Sequence, residues 1–116
     1  MLENTQHEEI LHSKFWHIKP HERRLFQNKK GAAKLLYLLF FRWFEQHAQF
    51  PKTLDDVPKE LIHFGLESFV HGVNRQALIE LLKKKRTINR YKKKVLFIYL
   101  NPIAKSHLQL GVFGKY

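Results

Sequence analysis

From Ala32 to Ala48 the chain reads AAKLLYLLFFRWFEQHA, and apolar side chains fill almost every position. Besides His47 near its end, the polar exceptions are Lys34, Arg42, Glu45 and Gln46. At 3.6 residues per turn, Lys34, Arg42 and Glu45 fall within one narrow stripe, with Gln46 at its edge. A helix apolar around most of its circumference needs neighbours on several sides, so the pattern predicts a central helix over about 32–48 in a small bundle. A membrane span needs about 20 apolar residues. The uninterrupted run here, Leu35–Phe41, has seven, with Lys34 and Arg42 at its edges. No membrane partner is expected.

The flanking segments also read as helices. Thr5 and Glu8 have capping-box spacing ahead of Ile10 and Leu11 and predict a short helix from about Gln6 to Ser13. Phe15, Trp16 and Ile18 follow in a linker. Pro20 suits a first helical turn, and a helix over about Pro20–Asn28 places Leu25 and Phe26 inward and Arg23, Arg24 and Lys29 outward. Gly31 interrupts the pattern before the central helix. Phe50-Pro51 ends that helix, because the residue before a proline is pushed out of the helical region. Lys52–Val57 reads as a loop with the turn pair Asp55-Asp56. Pro58 opens a helix whose apolar set is Leu61, Ile62, Phe64, Leu66, Phe69 and Val70. Gly65 is expected to weaken or bend it, and Gly72 to end it. Asn74 is a good N-cap for a helix from Arg75 to about Lys85, with Ala77, Leu78, Leu81 and Leu82 on one face. Thr87 can cap another, from Ile88 to roughly Leu96. The run VLFIYL, Val95–Leu100, either continues that helix or forms a strand. The expected fold is all-α, a small multi-helix bundle around residues 32–48 with a helix-turn-helix-like pair near 75–96. Residues 1–14 read as an N-terminal helix or arm, 15–100 as the domain, and 101–116 as a poorly patterned tail.

Charge adds a direction to this picture. The net charge is +11 over 116 residues. Residues 1–80 carry 11 Lys+Arg and all 10 Asp+Glu, whereas residues 81–116 carry 10 Lys+Arg and no acid. Such asymmetry points to a polyanionic partner, nucleic acid before anionic membrane. There is no cysteine, which excludes disulfides and thiolate metal sites and is compatible with a reducing cytoplasm. No signal or transit peptide pattern opens the chain, so a cytoplasmic location is expected.

The charge is concentrated in KKKRTINRYKKK, Lys83–Lys94, with eight Lys+Arg in twelve residues. Two helices meeting at a tight basic turn resemble a helix-turn-helix, whose second helix enters the major groove by its N-terminal end. Arg86, Asn89, Arg90 and Lys93 would then lie near one another. Arg and Asn read guanine and adenine edges, while Lys more often holds phosphate. Tyr91 is a core contact or a phosphate donor. Lysines at a helix C-terminus are favoured by the macrodipole, so Lys83, Lys84 and Lys85 need no ligand to explain them. The cluster Lys92–Lys94 is harder to account for that way. A second basic set, Arg23, Arg24, Lys29, Lys30 and Lys34, has spacing that leaves open whether it shares that face.

Several landmarks in order carry a resemblance. They are the basic pair Lys29-Lys30, Lys34-Leu35 early in the central helix, Phe50-Pro51, Val57-Pro58, and Arg86-Thr87 with Tyr91. Over roughly residues 15–96 the chain resembles the N-terminal domain, itself of unknown function, of the large transposases of the Tn-three family of replicative bacterial transposons. The resemblance implies a mostly helical module that binds the terminal inverted repeats of its transposon, without the Asp-Asp-Glu catalytic domain. The expected partner is double-stranded DNA, with Lys29, Lys30, Lys34, Lys83, Lys84, Lys85, Arg86, Thr87, Asn89, Arg90, Lys93 and Lys94 as candidate contacts. Self-association, or contact with the remainder of a transposase, stays open. So do a helical protein-interaction domain and a basic RNA-binding protein.

Catalysis, a metal site and a cofactor are not expected. His17 and His21 are separated by Pro20, with only Glu22 nearby, and zinc wants three or four converging ligands. Asp55-Asp56 reads as a turn. Ser13, Ser68 and Ser106 lack a nucleophile-elbow context, and no glycine loop suited to phosphate is present.

Overall fold

The computed structural model describes residues 11–100, and every regular element among them is helical. Helix α1 covers residues 11–16. A 3₁₀ turn, Pro20–Glu22, leads into the short α2, Arg23–Phe26. The remaining helices are α3 (Gly31–His47), α4 (Lys59–Ser68), α5 (Arg75–Leu82) and α6 (Lys85–Leu100). The expectations for residues 1–10 and 101–116, the arm and the tail, lie outside the described residues.

Helix α3 is the centre of the bundle, as its pattern predicts. Every residue from Leu35 to Arg42 is buried. It packs against α2, α5 and α6. Aromatic rings make the joints: Phe26 meets Tyr37 and Phe41, Tyr37 meets Tyr91, and Phe41 meets Tyr99, with centroids 5.1–6.1 Å apart. Such pairs add specificity beyond the area they bury. Phe40 is core, and Trp43 and Phe44 are half-buried against it. Gly31 supplies the positive φ of 58° that turns the chain into α3, a conformation without cost only for glycine. At the other end Ala48 takes φ 57°, and its N–H donates to the Phe44 carbonyl. This is the left-handed cap usually given to glycine.

Two residues read from sequence as surface or linker belong to the core. Arg42, placed in the polar stripe, is 4% exposed and reaches back to the N-terminal segment. It donates to both Glu22 carboxylate oxygens (2.6 and 2.7 Å) and to the carbonyls of Phe15 and His17. Trp16, placed in a linker, ends α1 and is buried. Its indole Nε1 donates to the Leu61 carbonyl at 2.8 Å, and its ring stacks on Phe69. Gly65 explains the fit. A Cβ there would stand 2.6 Å from the Trp16 ring. The glycine therefore marks a close approach, and α4 runs through it without ending. Helix α1 also runs on to Trp16, past the end near Ser13 that the sequence pattern predicts.

The loop after α3 is held by its acids. Asp56 accepts from the N–H groups of Lys52 and Thr53, and Asp55 pairs with Arg75. Asn74 caps α5, its side-chain oxygen accepting from Ala77 N–H at 2.9 Å. That helix ends at Leu82 and not near Lys85, because Lys83 N–H bonds back to Glu80 in a tightened last turn. The run VLFIYL is helical, with Val95 and Ile98 in the core.

Candidate nucleic-acid interface

The junction of α5 and α6 consists of two residues, Lys83 and Lys84. Lys84 N–H donates to the Leu81 carbonyl, and the Lys84 carbonyl accepts from Ile88 N–H at 3.0 Å. The first turn of α6 is therefore Lys85–Ile88. Thr87, which sequence placed as the cap, sits within it, three residues past the residue that precedes the helix, and is half-buried. DNA-binding helix-turn-helix units usually have three- or four-residue turns, often with glycine. This one is shorter and has none.

Helix α6 divides cleanly. Ile88, Tyr91, Val95 and Ile98 are buried. Lys85, Arg86, Asn89, Arg90, Lys93 and Lys94 are exposed. At 100° per residue, Asn89, Lys93, Arg86 and Arg90 lie within an arc of about 100°. The expectation that these four share one face therefore agrees with the helical register. No acidic residue occurs in α6. Among the described residues, no carboxylate pairs with any cation of α6, and Lys83 bridges to Glu80 at 3.4 Å. That contact and a hydrogen bond from Gln76 hold the Glu80 carboxyl below its usual range, Gln76 contributing most.

Of the second basic set, Lys29 is brought to α6. Its ammonium lies 4.8 Å from the ring centres of both Tyr37 and Tyr91. Lys29 is half-buried, where sequence placed it outward. Burial, with the nearby charges of Lys94 and Arg90, pushes its pKa down. Burial and the neighbouring Tyr91 push Tyr37 up to about 12, so it stays neutral. Tyr91 resolves as a core residue. Lys30 is exposed beside Lys29. Lys34 turns toward α4, its ammonium 5.0 Å from the Phe69 ring. Lys92 lies over Phe40 and Phe50, a cation using its stem and charge against aromatic faces.

No protein-family model, curated protein or solved structure matches this chain.

Other concave surfaces differ from α6 in character. A groove of about 470 Å³ beside Lys59, His63 and Arg75 is open and mixed in charge. Another, of about 560 Å³, borders Arg42, whose guanidinium is already bonded to Glu22 and two carbonyls. Among the described residues no three His, Asp or Glu side chains gather as metal ligands do. None of their helices is long and apolar enough to cross a membrane.

Residues that sequence reasoning missed here are few but informative. Lys29 looked like one more surface lysine, and its register against α6 depends on the turn at 27–30. Phe97, within an apolar run, is 60% exposed on α6. Only the helical register, absent from an apolar run by itself, separates it from Val95 and Ile98.

Proposed function

We propose that this chain binds double-stranded DNA through the exposed face of α6, with Lys29, Lys30, Lys83 and Lys84 flanking it. One observation carries the proposal. Lys85 and Arg86 occupy the first turn of α6, and that turn contains no acid. The helix macrodipole is positive there, so each cation is disfavoured by roughly 0.3–1 kcal/mol. The macrodipole accounts for lysines at the end of α5, but it opposes these two. Phosphate groups of a nucleic-acid backbone supply the missing counter-charge, and helix N-termini already suit phosphate.

The remaining residues on the face extend the reading. Lys93 and Lys94 continue the cationic track away from the turn. Arg86, Asn89 and Arg90 are the types that recognise base edges in the major groove. Lys29 stays close to Arg90 and Lys94 although like charges repel, because two tyrosine rings hold it there. Thr87 is half-buried and is better taken as a support for the turn. Lys34 is left out of the proposed face.

The finer reading is a module that recognises the terminal inverted repeats of a Tn-three family transposon and acts in the bacterial cytoplasm. It rests on the sequence landmarks alone. Leu35, Pro51 and Val57 are buried and Phe50 is half-buried, so packing accounts for those landmarks. Any sequence preference would come from Arg86, Asn89 and Arg90.

A binding titration tests both levels. Duplexes carrying transposon ends and scrambled duplexes are compared at several salt concentrations. If about six phosphates are neutralised, log affinity falls against log salt with a slope near −5. A flat response contradicts DNA binding. Equal affinity for the two duplexes removes the transposon-end reading and leaves general DNA binding.

A further inference from the structure

Resting on the reading of α6 as a DNA-binding face, we propose that Phe97 is a stacking platform for an unpaired base. The preferred ligand is then a DNA duplex with a single-stranded extension, not a continuous duplex.

The argument starts from register. Arg86, Arg90, Lys93 and Phe97 follow one another at spacings of four, three and four, which keeps them on a single stripe of the helix. All four are exposed. The opposite side of α6 already supplies the core with Ile88, Tyr91, Val95 and Ile98. Phe97 lies outside that buried set, and the residue is 60% exposed to water. An exposed phenylalanine at the end of a cationic stripe combines the two elements of single-strand binding: charges that follow the backbone and an aromatic face for a base.

Distance supports the same ligand. One helical turn separates Lys93 from Phe97, a rise of about 6 Å. A strand with a phosphate held at Lys93 therefore reaches the ring within about two nucleotides, taking ~3.4 Å per nucleotide. Bases inside a duplex have both faces covered by their neighbours. A base on an unpaired extension offers one to the ring.

The chemistry fits a membrane surface less well. A helix lying in the interface needs an apolar face along its length. The long apolar face of α6 is turned into the bundle, and its outward apolar residues are confined to the last turn, Phe97 and Leu100.

Fluorescence anisotropy on the full chain tests the proposal. The probes are a blunt duplex of mixed sequence, the same duplex with a four-nucleotide unpaired extension on either strand, and vesicles of phosphatidylcholine with phosphatidylserine. One stacked base predicts at least about fivefold tighter binding of an extended duplex than of the blunt one. Phe97→Ala is expected to abolish that difference and to change blunt-duplex affinity less than about twofold. Phe97→Tyr keeps the preference. Phe97→Leu, which retains apolar bulk but lacks the aromatic face, loses it. Unchanged thermal melting of the variants confirms that the fold is intact. Equal wild-type affinity for blunt and extended duplexes overturns this proposal alone. So does an equal loss on both probes in Phe97→Ala, or a preference that survives in Phe97→Leu. Vesicle binding that needs Phe97, without a preference for the extension, assigns the ring to a lipid surface and also overturns it. Failure to bind any of the DNA probes overturns the DNA-binding reading together with this one.

Discussion

Arg42 and Arg86 carry the same guanidinium in opposite circumstances. Arg42 is buried in the middle of the bundle, with Glu22 and two backbone carbonyls around it. Arg86 is exposed in the first turn of α6, with no acid in the turn and the positive end of the helix behind it. The first is explained entirely by the fold, since its charge and its donors are satisfied inside the molecule. Among the described residues no carboxylate pairs with the second. In the proposed function, an external phosphate supplies the counter-charge that the described residues do not. The count of basic residues alone does not separate the two cases.

Breaking the buried side of this comparison has the largest expected effect. Arg42→Met leaves the Glu22 carboxylate, 3% exposed, without its counter-charge. A buried pair broken on one side costs about 3–5 kcal/mol, a large part of the 5–15 kcal/mol typical of a domain. Urea unfolding is the measurement. Combining Arg42→Met with Glu22→Leu should recover most of the loss, because apolar replacement of both partners is often neutral.

The same pair sets an acid limit. Burial works to raise the Glu22 pKa, but hydrogen bonds from Arg42 and the Lys19 N–H outweigh it, and the folded value lies below 4.5. Its contribution is therefore complete above the unfolded value and is lost as pH falls through the folded one. Glu22→Gln should be less stable near neutrality. It should also lose less further stability below about pH 4.5 than the wild type does.

Second in size is the contact between α1 and α4. Gly65→Ala forces a Cβ against the Trp16 ring, and overpacking of this kind costs about 1–3 kcal/mol. The loss should appear in thermal melting. DNA affinity measured well below the melting temperature should stay within twofold, because α4 lies outside the proposed face.

These two sites also show what the sequence could and could not reveal. The central helix was legible because seven consecutive apolar residues leave a helix no solvated side. Asn74 was legible because its capping bond is local, spanning three residues. The Arg42–Glu22 pair and the Trp16–Leu61 bond join residues 20 and 45 positions apart. No local pattern encodes such distances. Arg42 was accordingly read into a polar stripe and Trp16 into a linker. The start of α6 was read three residues late, because Thr87 has a cap's chemistry while the backbone of Lys84 makes the actual turn. The run VLFIYL fits helix or strand by period. Tyr91, Val95 and Ile98, buried on one side of α6, decide for the helix. The candidate site was legible as charge and composition. Its polarity, with cations at the start of a helix, appeared only once that start was located.

The central claim is that Lys85 and Arg86 serve a ligand at the expense of the fold. Its most direct test measures stability and DNA affinity together in the double variant Lys85→Glu, Arg86→Glu. Acids in a first helical turn are favoured where cations are disfavoured, by roughly 0.3–1 kcal/mol per residue at low salt. The variant should therefore unfold at equal or higher urea concentration than the wild type. Its affinity for duplex DNA should fall at least tenfold, with a shallower salt slope. A variant that is less stable and still binds with wild-type affinity would contradict the account.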